Sequence, residues 1–137
     1  MTTIVEPDAP PFVAYLDASA ALKLLLDEVE TEAMRAFLDR PIVPVSSDLL
    51  ETELRRTAHR AQVDQAGVTA VLDGLNLIPL DRHAFRAAGL LPHRTLRSLD
   101  ALHLAAALDV EAHAIVTYDE RMAEAALELG LAVIAPA

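Results

Sequence analysis

The sequence predicts an α/β fold: a three-layer α/β/α sandwich with a central parallel sheet of about five strands. Two observations predict it. Five short apolar runs of strand length recur along the chain, opening with FVAYL at 12–16 and closing with LAVIA at 131–135. Segments of helical character separate them, so each strand is joined to the next by a crossover rather than a hairpin. Strands that are apolar on both faces belong in a sheet covered on both sides, which is the parallel arrangement. Crossovers in such a sheet are right-handed, and ligands gather at the carboxyl ends of its strands.

The elements follow in order. Phe12 to Leu16 is the first strand. Helices run from Ser19 to about Asp27 and from about Thr31 to Leu38, the second stopped by Arg40-Pro41. Ile42 to Ser46 is strand two, marginal because Pro44 lacks a ladder donor. Ser47 or Asp48 caps a helix running to about Val63, and Gly67 to Leu75 forms another. Leu77 to Leu80 is strand three, and a helix around His83 to Ala88 leads into a loop at Gly89 to Thr95. The stretch LRSLDALHLAAALDV at 96–110 is a helix capped by Ser98. Ala114 to Thr117 is strand four, Asp119 to Leu129 a helix closed by Gly130, and Leu131 to Ala135 strand five.

At 137 residues, with 53% apolar and 23% charged residues, the chain has the size and composition of one globular domain. Residues 1–11 read as a disordered leader and 12–137 as the folded domain. There is no cysteine, so neither disulfides nor thiolate metal sites arise. MTTIVEPDAPPF has no basic n-region or apolar h-region, and no apolar run approaches the roughly 20 residues of a membrane span. A soluble, cytoplasmic protein without membrane contact is expected.

The net charge of −10, from 21 acids against 11 bases, argues against nucleic-acid binding by bulk electrostatics. Every base but Lys23 is an arginine, the side chain suited to forked contacts with phosphate. Arg55, Arg56 and Arg60 form one group, and Arg82, Arg86, Arg94 and Arg97 a second. Each group reads equally as a phosphate-binding patch or as a solvated helix face.

Four carboxylates stand out. Asp17 in YLDASA directly follows strand one, and Asp119 in VTYDERM follows strand four. Each has a local explanation as a helix cap, a role Ser19 could share with Asp17, while Thr117 and Glu120 could form a capping box. Glu53 lies on or beside the apolar stripe of its helix, whereas Glu51 points roughly 200° away. An ion pair with Arg56 or Arg60 would explain Glu53 locally. Asp100 sits in the first turn of the Leu/Ala helix, where an acid favours the helix dipole. His103, one turn on, reads as a core histidine rather than a partner of Asp100. What capping does not require is the joint pattern, two acids at strand ends and two near helix starts or apolar faces packed on the same sheet. Converging carboxylates need a cation, and oxygen-only ligands select Mg²⁺ or Mn²⁺ over zinc. Such a cation can clamp and polarise a phosphodiester and activate water.

Four stretches carry a family resemblance: YLDASAALKLLLDE at 15–28, SSDLLETELRR, LRSLDALHLAAAL and IVTYDERMAEAALELGL. In order and spacing they resemble the PIN-domain ribonucleases, specifically the VapC toxins of bacterial toxin–antitoxin pairs, over residues 12–135. The resemblance places the family's acidic quartet on Asp17, Glu53, Asp100 and Asp119, with the accompanying hydroxyl on Thr117. It implies a PIN-like α/β/α fold and a Mg²⁺- or Mn²⁺-dependent endoribonuclease cutting structured RNA, often transfer RNA. A homodimer inhibited by a cognate VapB-like antitoxin is implied as well. Asp17 and Asp100 would ligate the metal directly, and Glu53 and Asp119 directly or through water. Ser19 supports the site, and Arg94 and Arg97 are candidate RNA contacts.

Two other readings compete. An aspartyl phosphoryl acceptor using Asp17 would need a D-x-D pair, or a late lysine; the sequence has DAS and only Lys23. A catalytically inert PIN-fold interaction module is the non-enzymatic alternative.

Overall fold

The computed structural model describes residues 11–137, so the leader expected at 1–11 lies outside the described residues except for Pro11. The chain order is β1 (Phe12–Leu16), α1 (Ala18–Leu25), α2 (Thr31–Leu38), β2 (Ile42–Ser47), α3 (Leu49–Ala61), α4 (Gln65–Asp73) and β3 (Asn76–Ile78), followed by α5 (Arg82–Gly89), α6 (Ser98–Asp109), β4 (Ala114–Val116), α7 (Glu120–Glu128) and β5 (Ala132–Ile134). The five strands form one parallel sheet in the order β3-β2-β1-β4-β5. The strand order reverses between β1 and β4, and the crevice beyond the carboxyl ends at such a switch point is where this architecture builds sites.

Burial divides the sheet residues between two faces. Ala14, Leu16 and Val116 pack against Ala20, Met34 and Phe37 of α1 and α2. Tyr15, Val45 and Ile115 pack against Leu104 and Ala107 of α6 and Met122 and Ala125 of α7. A further cluster joins α3 and α4 to α1 through Leu50, Leu54, Val68, Leu72 and Ala21. The helix α6 is buried without a break from Ala101 to Ala107, as expected of a helix apolar on nearly every side.

Local chemistry sets the element ends. Pro44 does not break β2, because its pairing with β3 begins only at Val45, and the Pro44 carbonyl accepts from the Asn76 side chain at 3.0 Å. The helix expected from Gly67 starts at Gln65 instead, because Asp64 caps it by accepting from the Ala66 N–H. Asp81 starts α5 in the same way, accepting from the Ala84 N–H. The expected cap of α3 is corrected: Asp48 holds the N-cap position but its side chain makes no capping hydrogen bond. Gly130 adopts φ +82°, and the Leu131 N–H reaches back to the Ala126 carbonyl, closing α7 as expected.

Candidate active site at the carboxyl end of the sheet

Asp17 leaves β1 in extended conformation and caps α1. Its Oδ1 accepts from the Ala20 N–H at 3.0 Å and from the Ser19 hydroxyl at 2.7 Å, while Oδ2 accepts from the Thr117 hydroxyl at 2.5 Å. The residue is only 3% exposed. Burial pushes its pKa up, opposed by the hydrogen bonds from Thr117, Ser19 and Ala20. The capping reading is therefore correct, and it accompanies a position at the switch point.

Thr117 and Ser19 bind the ends of β1 and β4 together. The Ser19 hydroxyl accepts from the Tyr118 N–H at 2.9 Å, and that of Thr117 accepts from the Asp119 N–H at 3.0 Å. The alternative of a Thr117–Glu120 capping box is not realised. Asp119 caps α7 itself, its Oδ1 accepting from the N–H groups of Arg121 and Met122 at 2.9 and 3.0 Å.

Asp100 lies in the first turn of α6, but the Ser98 cap beneath it is a correction. Arg97, extended at φ −75° and ψ 160°, is the N-cap, so Ser98 is already helical, and no side chain caps the helix. Asp100 makes no side-chain hydrogen bond to any described residue. It is half-buried, and its pKa is raised first by desolvation, then by the charges of Asp119, Asp17 and Glu53, with His103 opposing. Asp119, Asp17 and Glu53 are thus near enough to act on it by charge, and Asp119 lines the same pocket.

Packing separates the two glutamates of α3. Leu50, Leu54 and Ala58 form the buried stripe of α3. Glu51, half exposed, faces away and pairs with Arg55 at 2.9 Å. Glu53 sits beside the stripe with its side chain 18% exposed. Its partner is neither Arg56 nor Arg60 but His103, whose Nε2 lies 2.5 Å from Oε1. His103 is in the core, as expected, yet both ring nitrogens are engaged, Nδ1 lying 2.7 Å from the Tyr15 hydroxyl. This link was missed at sequence level.

The arginines separate. Arg97 and Arg121 line an open pocket of about 390 Å³ together with Asp100, Asp119 and Glu120. Arg94 lines a different pocket, with Phe85, Leu91 and His93. Arg55 is engaged by Glu51, Gln65 and Thr69. Arg121 was not singled out from the sequence, although its place two residues after Asp119 was a usable signal.

The donor set fits a hard divalent cation. Asp100, the second oxygen of Asp119 and Oε2 of Glu53 have no hydrogen-bond partner among the described residues. All-oxygen donors of net negative charge suit Mg²⁺ or Mn²⁺. Of the four acids, Asp100 and Asp119 line one pocket. Among the described residues, the one group with three ligand atoms within 4.8 Å of one another is His93, Glu124 and Glu128, which contains none of the four.

The family profile described as PIN domain matches residues 14–128. The chain is 41% identical over 126 residues to Ribonuclease VapC46 of Mycobacterium tuberculosis, covering 89% of this chain and 96% of that protein. It is 39% identical over 129 residues to Ribonuclease VapC35 of the same species, with the same coverage. Among solved structures, M. tuberculosis VapC20, described as a Sarcin-Ricin loop cleaving toxin, superposes with a TM-score of 0.69 at 17% identity, covering 82% of this chain and 94% of that one. VapBC2 from Rickettsia felis, bound to a DNA fragment of its promoter, gives 0.70 at 14% identity, with 89% and 97% covered. The chain belongs to the PIN-domain family and, within it, to the VapC ribonucleases.

Proposed function

We propose that this chain is a Mg²⁺- or Mn²⁺-dependent endoribonuclease toxin that cuts structured RNA, transfer RNA among the candidates, and is held in check by a VapB-like antitoxin. The observation that carries the metal-dependent reading is Asp100: half-buried, without a hydrogen-bond partner among the described residues and set against three like charges. The helix dipole favours an acid in this first turn but does not account for the neighbouring like charges, and a shared cation does. Asp17 and Asp100 would hold the ion, with Glu53 and Asp119 completing the set directly or through water.

When bound, the cation would supply phosphate polarisation and a lowered pKa for water. The protein's own residues do the rest. Thr117 and Ser19 donate to the two oxygens of Asp17 and fix its orientation. Arg97 and Arg121 flank the acidic pocket, placed to take phosphate oxygens and admit RNA to an otherwise repelling surface. Arg94, lining the neighbouring pocket, is the lesser RNA-binding candidate.

The VapC20 description supports a structured RNA as substrate, and the R. felis VapBC2 complex supports an antitoxin partner. A homodimer and a cytoplasmic location complete the proposal. No helix among the described residues is long and apolar enough to cross a membrane. The test is induced expression in a bacterium, with and without the small open reading frame beside the gene. Growth arrest relieved by the neighbour and abolished by Asp100→Asn is expected; arrest that survives Asp100→Asn would overturn the site.

A further inference from the structure

We propose that His103, braced by Tyr15, is a positioning residue that turns the Glu53 carboxylate into the acidic site and restricts it to a single free oxygen. The inference deepens the metal-dependent reading above and rests on it.

The geometry is a buried chain of three side chains from three elements. Tyr15 comes from β1, two residues before Asp17; His103 from α6, three residues after Asp100; Glu53 from α3. Tyr15 is 0% and His103 1% exposed, so neither can exchange its partner for water. A carboxylate only accepts, so the imidazole Nε2 carries the hydrogen of the contact with Oε1. The Tyr15 hydroxyl, 2.7 Å from Nδ1, closes the chain. With one partner on each nitrogen, the ring orientation is fixed. His103 is the one hydrogen-bond partner of Glu53 among the described residues, so Oε1 is committed and Oε2 is free.

A space-filling histidine would not need this arrangement. A buried imidazole–carboxylate contact costs desolvation that an apolar side chain of similar size avoids. Glu53 is moreover at the edge of solvent, where it could have been hydrated. The chain instead ties Glu53, on α3, to the two elements that carry Asp17 and Asp100. Second partners of this kind orient metal ligands, and their loss typically weakens metal binding by about 10- to 100-fold.

The test is calorimetric titration of the purified chain with Mn²⁺ alone, with the melting temperature of each metal-free variant measured in parallel. The expected order is wild type, then His103→Gln, whose amide can still donate to Glu53, then His103→Leu, weakened by about 10- to 100-fold. Tyr15→Phe is expected to weaken binding while remaining folded, and it carries the test if His103→Leu does not fold. In a Glu53→Gln background, His103→Leu should cost little more, because it acts through a group already changed. Wild-type affinity in both His103→Leu and Tyr15→Phe would overturn the positioning role while leaving the metal site standing. So would an equal loss from His103→Leu in the Glu53→Gln background. If the wild type itself takes up no Mn²⁺, the metal-dependent reading falls and the positioning role falls with it.

Discussion

Asp100 faces three neighbouring negative charges without a hydrogen bond to offset them among the described residues. Replacing it with asparagine removes the repulsion while keeping the shape. Asp100→Asn is therefore expected to raise the melting temperature of the metal-free protein, by an amount reduced by solvent screening and the lost helix-dipole attraction, while abolishing cleavage. An unchanged or lowered melting temperature would mean that the acid serves the fold. The raised pKa values of Asp17 and Asp100 set a pH dependence as well. An acid whose folded pKa lies above its unfolded value disfavours the fold once ionised. These two groups therefore favour the fold increasingly as pH falls from neutral toward the ordinary carboxylate value of 3.8. Protonation also removes the ligand, so Mn²⁺ affinity, followed calorimetrically, should start to fall at a higher pH than for ordinary carboxylates. At this scale the places of Asp17 and Asp119 after their strands were legible, as was that of Glu53 beside the apolar stripe of α3 with Glu51 facing away. The contacts of His103 were not. Its partners lie 88 and 50 residues away in sequence, and no local period encodes such pairings.

Among the elements, α6 does the most positioning. It carries Asp100 at its start and His103 one turn later, and it is buried from Ala101 to Ala107. The helix is thereby fixed by packing on both sides rather than by a cap, since its N-terminus has none. Leu104, fully buried against Tyr15 and Ile115, is a central contact. Leu104→Ala is expected to cost about 2–5 kcal/mol in urea unfolding, by lost burial plus the cavity left behind. A cost below 1 kcal/mol would mean that α6 is not held as described. Helix boundaries were less legible than helix existence. Asp64 and Asp81 start their helices earlier than expected from the apolar pattern, and Arg97 takes the position expected of Ser98. In each case the backbone conformation of a single residue decides, and several neighbouring side chains offered a plausible cap.

The whole molecule combines a parallel sheet, a switch point between β1 and β4, and a net charge of −10. The parallel α/β class was legible because apolar strands with helical crossovers admit few other arrangements. The strand order was not, since no local pattern says on which side of β1 the fourth strand inserts. Under the proposed function the charge has a consequence: RNA would be repelled except where arginines flank the acidic pocket. Replacing Arg97 or Arg121 with alanine should lower the salt slope of log affinity for cleaved RNA by about 0.7–0.9 each. Arg55→Ala, which removes a side chain bound to Glu51, should leave that slope unchanged.

The central claim is that the four acids serve one metal-dependent reaction on RNA. It is tested most directly by single-turnover cleavage of a transfer RNA mixture by the purified chain with Mg²⁺, Mn²⁺ or EDTA, comparing wild type with Asp100→Asn. Internal cleavage by the wild type with either metal is expected, none in EDTA, and a loss of at least about 100-fold in the variant. Cleavage that persists in EDTA, or that Asp100→Asn leaves intact, would contradict it.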